Sequence, residues 1–354
     1  MAADEVFPGE EIMEFNGFPT LIRYFPGDRS KPLVVFIPGA GHLGRIAYGT
    51  PSMPPQDFLA HWIHEHGHPC VAVSVPLEHP VFSEVYPEFT ARDWGVLVAS
   101  AVRAVIDRAD LSRRIVVVAW SAAGMTPLVL SKAASAVEVE VALFVGLAAT
   151  PPVPGLSPPY TETLLRSRAP SGMVDVSALQ SYFHEALALQ NSLAGHVIIS
   201  EADYRDQFLG NFPVNAMSTP VRYRTDAFVL DAAEAVEDMG TFEFWDFPPI
   251  AVITHDSSTD DQHSMKDVSQ WSTYLVQVLY AEYHRIRGSA PIEPSTWERV
   301  RELVRHAPIR MSREVHGGHL CFLGREGAQA TAASVVELLR ESDKQRAELR
   351  AALD

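Results

Sequence analysis

The chain is poor in cysteine, in basic residues and in long apolar runs, and each shortage removes a class of protein. Only Cys70 and Cys321 occur in 354 residues, too few for the disulfide framework that holds small secreted domains together. Lys and Arg number 28 against 44 Asp and Glu, a formal net charge of −16. That charge repels phosphate backbones and no Lys/Arg-rich run offsets it, so nucleic acid is not an expected partner. No stretch reaches the roughly 18 uncharged apolar residues that a membrane span needs. The longest apolar runs, such as Ile115–Trp120, are strand-length. The acidic start, Met1-Ala2-Ala3-Asp4-Glu5-Val6, lacks the basic and apolar regions of a secretory signal. The last residues, Ala351-Ala352-Leu353-Asp354, match no common retention or peroxisomal address. The expectation is a cytoplasmic protein without internal repeats or low-complexity tracts.

What is present is an ordinary globular composition, 47% hydrophobic and 20% charged, in a length that suits one large α/β domain with an insertion. Glu11–Asn16 and Leu21–Phe25 alternate around Asn16-Gly17 and read as a hairpin. Continuous apolar runs at Pro32–Ile37, Cys70–Val75, Arg114–Ala119 and Val139–Leu147 read as strands buried on both faces. Helical patterns at Gln56–Glu65, Phe89–Ala109 and Met125–Ala136 separate them. Strands and helices in alternation imply a mostly parallel sheet flanked by helices. After Thr150 the rhythm breaks: Pro151–Pro159 is proline-rich, and Thr161–Asp246 reads as helices and loops. The sheet resumes at Pro249–Thr254, followed by helices over Met265–Ile286 and Ser295–His306, a last strand at Ile309–Val315 and a closing helix from Gly327. A core of residues 1–150 and 247–354 with a helical lid over 151–246 follows. A structureless connection of that length would be exceptional.

Four segments carry candidate chemistry. Val118-Ala119-Trp120-Ser121-Ala122-Ala123-Gly124 runs from a buried strand through a serine into a helix. Such a turn strains the backbone and pushes a hydroxyl out over the edge of the sheet. A serine capping the helix is the plainer reading. Ile253-Thr254-His255-Asp256 leads into Asp260 and Asp261 after a later strand, and Val315-His316-Gly317-Gly318-His319-Leu320 follows the last one. Pro38-Gly39-Ala40-Gly41-His42-Leu43-Gly44 follows the first buried strand.

Together these segments resemble the α/β-hydrolase superfamily, the serine hydrolases with a helical cap. Ser121 stands where the family's nucleophile elbow, G-x-S-x-G, has its serine, although Ala119 and Ala123 replace both glycines. The resemblance implies a triad in the order Ser121, acid, His319, with His316 the weaker choice of base. Family spacing favours Asp260 as the acid, then Asp256, then Asp261. The N–H groups of Ala40 and Ala122 would form an oxyanion hole, with Pro38 standing where relatives often carry histidine. It implies cofactor-free hydrolysis of a carboxylic ester or lactone. The same triad also serves carbon–carbon hydrolysis, thioester release and lyase or cyclisation steps of biosynthetic pathways, and the fold serves dead ligand-binding receptors. A serine nucleophile argues against the aspartate-dependent dehalogenase and epoxide-hydrolase branches. The expected partner is a medium-sized apolar small molecule, with at most a second copy of the chain beside it; Trp120, next to Ser121, should lie near the site and either touch substrate or pack.

Two other signals invite different readings. His61, His64, His66 and His68 form a histidine run, but it straddles a helix end and precedes a strand, away from Ser121. Solvated histidines at a helix C-terminus are the expectation, and no metal site. Gly39-Ala40-Gly41-His42-Leu43-Gly44 matches G-x-G-x-x-G, but the next strand ends in Pro76-Leu77, with Glu78 late for a ribose contact, so no nucleotide is expected.

Overall fold

Asn16 and Gly17 both take left-handed backbone angles, φ 54° and 82°, as a two-residue type I′ turn requires. They join the antiparallel strands β1 (Glu10–Phe15) and β2 (Phe18–Phe25), with Phe15 opposite Phe18. The computed structural model describes residues 6–289 and 291–353. Met1–Glu5, Ala290 and Asp354, and with them the outermost ends of the expected core segments, lie outside the described residues.

The apolar runs become β3 (Leu33–Ile37), β4 (Cys70–Val73), β5 (Arg114–Trp120) and β6 (Glu140–Leu147). Between them lie α1 (Leu59–Glu65), α2 (Ala91–Ala109) and α3 (Pro127–Ala136). A capping box of Thr90 and Asp93 starts α2, and left-handed Asp110 ends it. Residues 148–249 hold α4 (Pro158–Arg166), α5 (Gln180–Ala194), the short turn α6 (Glu201–Asp203), a hairpin of β7 (Val221–Arg224) and β8 (Ala227–Leu230), and α7 (Ala232–Met239). The chain then returns to the sheet as β9 (Ile250–His255), runs through α8 (Asp261–Arg287) and α9 (Pro294–Arg310), adds β10 (Ser312–Val315) and closes with α10 (Arg325–Leu353).

The main sheet has the order β1-β2-β4-β3-β5-β6-β9-β10. The pairs β1/β2 and β2/β4 are antiparallel, and every pair from β4 to β10 is parallel. Parallel strands deliver their C-termini to one edge. The loops that follow β3, β5, β9 and β10 therefore bring Gly39, Ser121, Asp260 and His319 to the same side of the sheet.

Two local expectations are corrected. The segment from Ile309 is not strand at its start: α9 continues to Arg310, where Met311 N–H still bonds to Ala307 C=O at 2.9 Å. Ile309 is 74% exposed, so the apolar run there does not mark burial. The hairpin β7–β8 was not foreseen, because its turn uses Thr225 and Asp226 at φ 48° and 60° without a glycine to announce it. Among the described residues no helix is long and apolar enough to cross a membrane.

Candidate active site

Ser121 sits at φ +57°, a left-handed angle that costs an L-residue energy and persists only where its surroundings enforce it. The enforcement is visible in two glycines. A Cβ on Gly39 would lie 2.6 Å from Ser121 Cβ, and one on Gly124 would lie 2.4 Å from Thr150 O. The loop after β3 and the end of β6 thus close on the turn from both sides. The glycine this elbow needs is Gly124, one residue later than the family pattern, while Ala119 and Ala123 are accommodated fully buried.

His319 joins Ser121 to Asp260. Its Nε2 lies 2.9 Å from Ser121 Oγ and its Nδ1 2.8 Å from Asp260 Oδ2. A second, unforeseen histidine meets the same oxygen. His255, the last residue of β9, has Nε2 at 3.0 Å from Asp260 Oδ2 while its Nδ1 accepts Ser257 N–H at 3.3 Å. That backbone bond fixes the His255 proton on Nε2, so Asp260 Oδ2 receives two N–H donors. With Nδ1 of His319 donating, its Nε2 keeps a lone pair facing the Ser121 hydroxyl.

The electrostatics suit that tautomer. Burial pushes His319 below its ordinary value; Asp260 pulls it back up, and His263 and His255 add to the lowering. Burial would raise Asp260, but His319, His263 and the histidine N–H donors outweigh it and hold the carboxyl well below the usual range. Asp260 is therefore the anion and His319 the neutral imidazole at neutral pH.

The remaining sequence candidates fall elsewhere. Asp256 Oδ2 takes His316 Nδ1 at 2.8 Å and its Oδ1 takes Gly317 N–H at 3.1 Å, which pins the loop carrying His319. Neither Asp256 nor His316 reaches Ser121, and Asp261 opens α8 on the border of the cavity that Ser121 and His319 share, without meeting His319. Trp120, which could touch substrate or only pack, is fully buried, and its indole N–H donates to His319 C=O at 2.9 Å. It holds the loop that carries His319. In the histidine run, His64 and His68 bond to the carbonyls of Pro26 and Pro32. The one grouping among the described residues close enough to share an ion is His255, Asp260 and His319. An ion there would have to displace both N–H donors from Asp260.

His42 was visible only as part of a glycine motif, yet it organises the loop after β3. It is buried and neutral, lowered to about 3 by burial. Its Nδ1–H donates to Ala40 C=O at 2.7 Å, and its Nε2 accepts the Tyr204 hydroxyl at 2.7 Å. Gly41, at φ +69°, approaches Phe212 and Gly210 of the insertion. The close approach that glycine permits here is to the chain itself.

Ser121, Ala122, Asp260 and His319 border a cavity of about 400 Å³, within the size range of small-molecule sites. The insertion supplies much of its wall, including Tyr160, Leu179, Tyr182 and Met217. The insertion's aromatic residues divide: Tyr160 and Tyr182 face the site, while Tyr204, Phe208 and Phe212 are core. A larger cavity of about 940 Å³ lies beside His196 and His316 and contains neither Ser121 nor His319.

No protein-family model and no curated protein matches this chain. Solved structures do. A soluble variant of monoglyceride lipase from Saccharomyces cerevisiae, in complex with a substrate analogue, is 11% identical, covers 98% of each chain and has a TM-score of 0.55. An AqdC variant that recognises and ring-cleaves the Pseudomonas quinolone signal is 14% identical, covers 94% of this chain and 99% of its own, and has a TM-score of 0.50. At such identities the likeness concerns the fold: this chain has the α/β-hydrolase fold.

Proposed function

We propose that this chain is a cofactor-free serine hydrolase that cleaves a carboxylic ester or lactone through an acyl-enzyme on Ser121, with residues 151–246 serving as its lid. The observation that carries the reading is the unbroken relay from Ser121 Oγ through His319 to Asp260, at 2.9 and 2.8 Å, on the wall of a cavity. His319 Nε2 takes the hydroxyl proton as Oγ attacks the carbonyl carbon, and Asp260 holds the resulting imidazolium. The N–H groups of Ala40 and Ala122 receive the developing oxyanion, and the His42 bond to Ala40 C=O fixes the loop that presents one of them. His319 then returns the proton to the leaving alcohol and activates water to release the acid. The direct test is hydrolysis of a chromogenic ester panel by wild type beside Ser121→Ala and His319→Ala; turnover surviving in both variants contradicts the reading.

Two expectations arise from the local geometry. Gly39→Ala places a methyl against the nucleophile, 2.6 Å from Ser121 Cβ and 3.2 Å from Oγ. The hydroxyl must turn away from His319, so we expect a loss of roughly a hundredfold in kcat from a protein whose far-ultraviolet circular dichroism is unchanged. Activity near wild type would show that the elbow and the loop after β3 are not jointly constrained. The pH profile gives the second. Because His319 must be neutral to accept the proton, and burial with His263 and His255 lowers it against the pull of Asp260, kcat/KM should fall only as pH drops through a value below about 6.5. An acid limb at or above that value contradicts the lowered base.

A further inference from the structure

Sequence reasoning anticipated an apolar pocket, and the cavity's largely apolar wall is interrupted by polar groups. The hydroxyl-bearing residues Thr150, Ser157, Thr163, Ser218, Thr219 and Thr259 are among those that border it. The Ser157 hydroxyl is buried and has no hydrogen-bond partner among the described residues. A buried hydroxyl without a partner is costly unless something in the cavity completes it. His263, on the first turn of α8, adds a nitrogen donor. Its Nδ1 lies 3.0 and 3.1 Å from the two Asp267 oxygens, and Asp267 is itself held by Ala149 N–H at 3.1 Å. The ring stands 5.0 Å from that of His319 and borders the cavity, so Nε2 is the edge it has left to offer. Neither the triad nor the oxyanion hole uses this Asp–His pair.

We propose that the cavity selects an oxygen-rich ester, one whose acyl part carries ether, carbonyl or hydroxyl oxygens, and that His263 Nε2–H, together with the Ser157 hydroxyl, binds an acceptor oxygen beyond the reacting carbonyl. The proposal rests on Ser121 being the nucleophile. Burial opposes a charged His263, but the carboxylates of Asp267 and Asp260 outweigh it and raise the group to about 9, which keeps a proton on Nε2 at neutral pH. A site with fixed buried donors rejects an alkyl chain, because each donor stays unpaired against a methylene.

The test uses two phosphonates that differ by one atom: ethyl 4-nitrophenyl hexylphosphonate, and its isostere with a 4-methoxybutyl chain. In each, Ser121 Oγ bonds to phosphorus, the proton passes to His319 and 4-nitrophenolate leaves, so labelling is read by absorbance and intact mass without any need for turnover. The ether lies too far from phosphorus to change its intrinsic reactivity. We expect wild type to be labelled about tenfold faster by the ether probe, the size of one retained hydrogen bond. The ratio should fall toward one in His263→Leu and in Ser157→Ala, and persist in His263→Gln, which keeps a donor. A purely structural role would slow both probes by the same factor and leave the ratio in place, which overturns the proposal. Equal or faster labelling of wild type by the hexyl probe overturns it as well. Absence of any adduct from either probe removes the Ser121 nucleophile itself, and the proposal with it.

Discussion

Asp260→Asn is expected to cut kcat on the order of ten-thousandfold while leaving the fold in place, and the reason lies in the charge on one oxygen. Asp260 Oδ2 accepts from His319 and from His255, at 2.8 and 3.0 Å. An asparagine with its carbonyl oxygen at the Oδ2 position still accepts both N–H groups, and His255 keeps its tautomer through Ser257 N–H. What is lost is the negative charge that opposes the effect of burial on His319 and holds the imidazolium as Ser121 gives up its proton. The base is weakened although every heavy atom stays where it was. Single-turnover kinetics on an activated ester would measure this. A loss below about tenfold would mean that Asp260 is a structural anion rather than the group that sets the base.

His319→Ala should be at least as severe, since it removes proton acceptor and donor together. A loss of ten-thousandfold or more is the ordinary scale for one member of such a unit. The unit is also non-additive: adding Asp260→Asn to His319→Ala should cost little more, because the acid acts only through the base. Steady-state kcat for both single variants and the double variant checks this. Losses that multiply would show that Asp260 acts on the reaction by a second route.

Much of this fold was readable, for physical reasons that differ from place to place. Pro32–Ile37 and Arg114–Ala119 read as strands because both faces of a central parallel strand are buried and the chain answers with uninterrupted Val, Ile and Leu. Asn16-Gly17 gave away its turn because those residues accept the angles the turn needs. Ile309 misled, since an apolar residue in the last turn of a helix looks like the start of a strand. Thr225 and Asp226 gave no sign because they adopt left-handed angles without glycine.

The site divides the same way. Ser121 and His319 were legible through their loops, and Asp260 by its distance from the strand end, because sheet topology brings those loops to one edge. His255, His263 and His42 were not, since their roles depend on partners far off in sequence or on a tautomer, neither of which leaves a spacing to read. The direction of Trp120 was not legible either, because adjacency to Ser121 does not say which way a side chain points: its indole turns inward to hold His319 C=O. The polarity of the cavity was hidden as well. Its hydroxyl-bearing residues come from five separate stretches, while the insertion's conspicuous aromatic residues mostly fill its own core.

The central claim is that Ser121 is a nucleophile activated by His319. It is tested most directly by treating the wild-type chain, Ser121→Ala and His319→Ala with a small fluorophosphonate, followed by intact mass and peptide mapping. The account predicts one adduct on wild type, mapped to Ser121, none on Ser121→Ala, and labelling slowed by orders of magnitude on His319→Ala. An unmodified wild type, or an adduct that survives Ser121→Ala, would contradict it.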